Sequence, residues 1–85
     1  MGKLNGKTAI ITGGNSGIGF ATAKRYVEEG ANVVITGRNQ DALNRAVSEL
    51  GSKATAVQAD AANIEDTERL FATVGEKFGS VDVLF

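Results

Sequence analysis

The chain has 85 residues, 42% of them apolar and 22% charged, with a formal net charge of −1. A length of this order gives one small domain that buries about 60–65% of the surface its unfolded chain exposes, and the balanced charge gives no electrostatic basis for binding nucleic acid or an anionic membrane. Cysteine and histidine are both missing, which excludes a disulfide framework, a zinc knuckle, a thiol nucleophile and the commonest general acid/base.

No stretch approaches the roughly 20 apolar residues that span a bilayer. The segment Met1 to Lys7 is polar and carries two lysines, unlike a secretory signal. The expectation is a soluble cytoplasmic protein.

In chain order, Thr8–Thr12 is short, apolar and β-branched, which suits a buried parallel strand. Gly17–Glu29 reads as a helix stopped by Gly30 as its left-handed C′ residue. Asn32–Gly37 is a second strand of the same type. Asn39 is a good N-cap for a helix through Leu50, with Leu43, Ala46, Val47 and Leu50 on one face and Gly51 as the stop. Ala54–Gln58 is a third, weaker strand.

Asn63 caps a third helix, and Asp66, three residues on, can complete a reciprocal cap. Ile64, Thr67, Phe71, Val74 and Phe78 form its helical stripe, and Gly79 ends it. Val81–Phe85 begins a fourth strand. Strands alternating with helices through short loops predict an α/β, Rossmann-like three-layer fold with right-handed crossovers. An apolar strand as the last element has the look of an interruption in a longer fold.

The loop between the first strand and first helix carries Gly13, Gly14, Gly17 and Gly19. Glycine allows sharp turns and close approach because it has no Cβ, and a helix N-terminus favours phosphate. The spacing is not the common G-x-G-x-x-G fingerprint, but strand, glycine turn, helix and second strand supply the context that gives that fingerprint its meaning. A triphosphatase loop is excluded, since Gly17-Ile18-Gly19 offers neither the lysine nor the magnesium-binding hydroxyl.

Thr12-Gly13-Gly14-Asn15-Ser16-Gly17-Ile18-Gly19 has the spacing T-G-x-x-x-G-x-G and resembles the short-chain dehydrogenase/reductase family. Asp60 after the third strand and the V-D-x-L pattern at Val81 extend the resemblance over the whole chain. It implies a parallel sheet of about four strands in the order 3-2-1-4, truncated, with residues 1–85 forming the N-terminal part of a nicotinamide dinucleotide-binding domain. Thr12 then braces the loop, and Gly13, Gly17 and Gly19 allow the turn, the phosphate approach and helix packing. Asn15, Ser16 and Ile18 contact the cofactor phosphates. Asp60, with Ala61 beside it, contacts the adenine side.

The end of the second strand distinguishes NAD from NADP, because an acidic residue there accepts from the ribose 2′-hydroxyl. Here the position is Gly37, followed by Arg38, whose guanidinium can grip a 2′-phosphate, with Asn39 adding a donor. NADP(H) is therefore expected over NAD(H), although Ser16 stands where many NADP-preferring members carry a basic residue.

The family's catalytic Ser, Tyr-x-x-x-Lys and Asn positions have no counterpart. The only tyrosine, Tyr26, is followed four residues later by Gly30 and reads as a packing residue, while Lys24 and Arg25 and the acidic pairs Glu28–Glu29 and Glu65–Asp66 read as surface charge. No catalytic or metal site is assigned. Two readings remain: the cofactor-binding part of an NADP(H)-dependent oxidoreductase acting on a carbonyl or alcohol, or a stand-alone nucleotide-binding or self-assembling module. An open sheet edge would in either case pair with a C-terminal portion or with a second copy.

Overall fold

A computed structural model describes residues 4–13, 17–60, 62–79 and 81–84. The elements are β1 (Thr8–Thr12), α1 (Gly17–Glu28), β2 (Asn32–Gly37), α2 (Gln40–Leu50), β3 (Ala54–Gln58), α3 (Ile64–Phe78) and β4 (Val83–Leu84). The four strands form one sheet in the order β3-β2-β1-β4. All three pairings are parallel, with Thr12 opposite Thr36 and Ile10 opposite both Val34 and Leu84.

Strand alternation divides the core between two faces. Ile11, Val33 and Ile35 point to one side and pack with Ala23 of α1 and Leu43, Ala46 and Leu50 of α2. Ile10 and Val34 point to the other side and meet Leu70 and Val74 of α3. Because both faces are covered, the inner strands are continuous apolar runs. Tyr26 is half-buried against the α1/α2 core, as a packing residue should be.

Local chemistry sets the helix ends. Asn39 Oδ1 accepts from the Ala42 amide at 3.0 Å, and Asn63 Oδ1 accepts from the Asp66 amide at 3.1 Å. Each bond satisfies an orphan donor of the first turn. Gly51 and Gly79 close α2 and α3 by donating to Val47 O and Gly75 O.

Four expectations need correction. The stripe on α3 is displaced: Leu70 and Val74 are buried and Phe78 joins them, whereas Ile64 and Phe71 are 75% and 41% exposed. Successive helical residues step by about 100°, so the apolar residues form a band wider than the face the sheet can cover. Ile64 and Phe71 fall on its rim.

Asp66 does not reach back to the Asn63 amide, which already donates to Asp60 O at 2.9 Å; its carboxylate turns to the Asp60 amide instead. It is therefore not a surface charge like its neighbour Glu65. β4 begins at Val83, not Val81. Val81 packs on the α3 core, and Asp82 docks on β1, donating from its amide to Thr8 O and accepting from the Thr8 amide through Oδ2, both at 2.9 Å. Phe85 lies outside the described residues. Finally, Glu29 stands just past α1 and pairs with Arg25 at 3.3 Å. Among the described residues no helix is long and apolar enough to cross a membrane.

Candidate functional site

Parallel strands in register end together, so their carboxyl ends share one rim. There β1, β2 and β3 open into a cleft of about 600 Å³ lined by Thr12, Gly13, Thr36, Gly37, Arg38, Asn39, Ala59, Asp60 and Ala62. The rim is held by backbone bonds between neighbouring strand exits: the Gly13 amide donates to Thr36 O at 2.8 Å and the Ala59 amide to Gly37 O at 2.9 Å. The cleft lies at the carboxyl ends of the sheet, where open α/β folds bind ligands.

Of the residues singled out in the sequence, the fold thus brings Thr12, Gly13, Gly37, Arg38, Asn39 and Asp60 to one place, although they come from three separate loops. Gly17, Ile18 and Gly19 form the first turn of α1 and are not in that lining. Gly19 is buried and Ile18 is 78% exposed. Asn15, Ser16 and Ala61 lie outside the described residues.

Gly13 has φ +67 and Gly17 φ +59, and a Cβ built on either meets no atom within 4 Å among the described residues. No described residue fills the space in front of Gly13, so its bare backbone leaves room beside the described lining of the cleft for another molecule. Asn39 is partly committed, since its carbonyl oxygen caps α2; its amide nitrogen keeps two donors. Arg38 is exposed and forms no ion pair among the described residues. Asp60 Oδ1 accepts from the Ala62 amide at 2.9 Å, which tightens the turn after β3.

A second cleft of about 350 Å³ adjoins the first and shares Arg38, Ala59 and Asp60 with it; Gln58, Asp66 and Arg69 complete its lining. The Asp66 carboxyl is held below the ordinary aspartate range, first by the hydrogen bond from the Asp60 amide and then by that from Arg69, with partial burial acting the other way.

Sequence reasoning passed over Thr36, Ala59, Ala62, Gln58, Asp66 and Arg69. Thr36 and Ala59 were within reach of it, since aligning the strand ends puts them on the same rim as Thr12 and Gly37. Arg69 had no such signal, because its contact with β3 exists only once α3 has docked. Among the described residues no cluster of acidic side chains suited to a metal is present.

Comparison with known proteins agrees with this geometry. The sequence profile described as short chain dehydrogenase matches residues 7–85. The chain is 49% identical over 82 residues to Oxidoreductase asL5 of Sarocladium schorii, covering 96% of this chain and 33% of that protein. It is 47% identical over 81 residues to an NADP-dependent (R)-specific alcohol dehydrogenase of Lentilactobacillus kefiri, covering 93% of this chain and 32% of that one. Its fold matches the 3-ketoacyl-(acyl-carrier-protein) reductase of Brucella melitensis complexed with NADH at a TM-score of 0.92 and 41% identity, over 96% of this chain and 34% of that chain. The chain spans about a third of the length of these relatives.

Proposed function

The chain belongs to the short chain dehydrogenase family, and on that footing we propose that it is the NADP(H)-binding N-terminal part of an oxidoreductase. The intact form would act on a carbonyl or an alcohol. When bound, the nicotinamide would supply the two-electron hydride chemistry of a carbonyl reduction, with the proton coming from a general acid outside these residues. This chain's own residues bind and orient the cofactor. Thr12, Gly13, Asn15, Ser16, Gly17, Ile18 and Gly19 take the phosphate side; Gly37, Arg38 and Asn39 take the ribose 2′ side; Asp60 and Ala61 take the adenine side.

The observation that carries the preference for NADP(H) is the exit of β2. Gly37 offers no carboxylate to a 2′-hydroxyl, and Arg38 lines both clefts with its guanidinium unpaired among the described residues. A planar guanidinium can hold a phosphate through two hydrogen bonds. The NADP-dependent relative from Lentilactobacillus kefiri is in keeping with this, although the Brucella reductase was crystallised with NADH. Titrating the chain with NADPH and NADH tests the reading: NADPH should bind tighter, and Arg38→Ala should weaken NADPH by about tenfold or more while leaving NADH within about twofold. Tighter binding of NADH to the unsubstituted chain would refute it.

β4 pairs with β1 alone among the described residues, so its outer edge is a template for a further strand. We assign that edge to the remaining portion of a longer enzyme or to a second copy. Light scattering behind size exclusion, with and without a C-terminal portion of the enzyme, distinguishes the two.

A further inference from the structure

We infer that Asp66 and Arg69 of α3 are positioning residues for the cleft, a clip that holds the exits of β2 and β3 in one geometry. The inference rests on the proposed cofactor site. Arg69 Nη2 donates to Gln58 O at 2.9 Å and to Asp66 Oδ1 at 3.3 Å. Asp66 Oδ2 accepts from the Asp60 amide at 2.9 Å. On the other side Gln58 Nε2 donates to Arg38 O at 2.9 Å.

One connected set of bonds therefore runs Arg38, Gln58, Arg69, Asp66, Asp60, and on through Asp60 Oδ1 to the Ala62 amide. Arg38, Asp60 and Ala62 line the main cleft, whereas Gln58, Asp66 and Arg69 do not. Among the described residues β3 pairs with β2 alone, so within them the turn that follows it has one strand to lean on. The α3 pair supplies the missing support.

As an ion pair alone, Asp66 and Arg69 would contribute little, since their side chains are 31% and 55% exposed. What sets this pair apart is that each partner also binds backbone at the end of β3. A carboxylate accepting a main-chain N–H and a guanidinium donating to a main-chain carbonyl are charge-assisted contacts with fixed direction. Removing Asp66 frees the Asp60 amide and releases Arg69, and Arg38 and Asp60 lose their common reference.

The test uses the full chain, with NADPH and 2′,5′-ADP as probes, and follows affinity together with amide exchange. Asp66→Ala should weaken 2′,5′-ADP by about tenfold and speed exchange at the Asp60 amide, with the far-ultraviolet circular dichroism unchanged. Asp66→Asn keeps an oxygen to accept from that amide and should recover most of the affinity. Arg69→Ala should weaken 2′,5′-ADP as well, whereas Glu68→Gln, exposed on the same helix and outside both clefts, should leave it unchanged.

Affinity within about twofold of the unsubstituted chain in Asp66→Ala overturns the inference while the cofactor site stands. If Asp66→Ala does not fold, unchanged affinity in Arg69→Ala overturns it instead. An unsubstituted chain that binds neither probe overturns the proposed function, and the positioning role with it.

Discussion

Gly13 offers a way to separate what the fold needs from what a ligand needs. Its φ of +67 lies in the left-handed region, and a Cβ there meets no atom within 4 Å among the described residues. Gly6, before β1 and outside the cleft, has φ +79 and equally open surroundings. Alanine at either position should cost about 1–2 kcal/mol for the left-handed backbone, and for a domain of this size that lowers Tm by about 4–16 °C. With no atom of the described residues to strike, neither substitution carries a packing penalty against them. The two variants should therefore unfold alike but bind differently.

The Gly13 methyl group projects into space that the cofactor would use, and NADPH affinity should fall by about tenfold or more, which is about 1.4 kcal/mol or more. Gly6→Ala should bind within about twofold of the unsubstituted chain. Thermal unfolding followed by circular dichroism gives the first quantity, and titration of NADPH fluorescence at a temperature where both variants are folded gives the second. If Gly13→Ala binds NADPH as tightly as Gly6→Ala, the space in front of Gly13 is not a ligand's, and the reasoning from its bare backbone fails.

Three further outcomes follow from the same contacts. Asp82→Ala removes the acceptor of the Thr8 amide, a group on a strand residue only 3% exposed, and should cost about 1–3 kcal/mol in urea unfolding; Asp82→Asn, which keeps an acceptor, should cost less. Leu43→Ala empties a fully buried position between α2 and the sheet and should cost about 2–5 kcal/mol, a large share of the stability of a small domain. Asp66 titrates lower in the folded chain than in the unfolded one, so its contribution is present above the ordinary aspartate range and is lost as pH falls through its depressed folded value. Urea midpoints of the unsubstituted chain and Asp66→Asn, compared from about pH 5 down to about pH 2, should converge at the acid end; a gap that widens in acid would contradict the assigned sign.

Much of the fold was legible because its signals are local. Asn39 and Asn63 cap the helices that their positions announce, and Thr8–Thr12 and Asn32–Gly37 are apolar along their length because helices cover both sides. The strand order followed from the family resemblance. The misreadings arose where a tertiary contact decided between local alternatives. Ile64 and Phe71 are as apolar as Leu70, and only the docking angle of α3 determines which of them the sheet covers. Asp66 stood at the right spacing for a reciprocal cap, but the Asn63 amide had already found Asp60 O, and the carboxylate was left for the Asp60 amide.

The candidate site divided in the same way. Gly13, Gly37, Arg38 and Asp60 could be named from motif positions and do meet in one cleft. Gln58 and Arg69, which tie that cleft to α3, come from elements whose meeting no spacing in the sequence encodes.

The central claim, that the carboxyl ends of β1, β2 and β3 hold a nicotinamide dinucleotide, is tested most directly by following the backbone amide resonances of the chain during titration with NADPH. Saturable shifts concentrated at Thr12, Gly13, Gly37, Arg38, Asn39 and Asp60, with Gly6, Gly51 and Gly79 unmoved, are the predicted result. Shifts that avoid the cleft, or no saturable shifts at all, would contradict it.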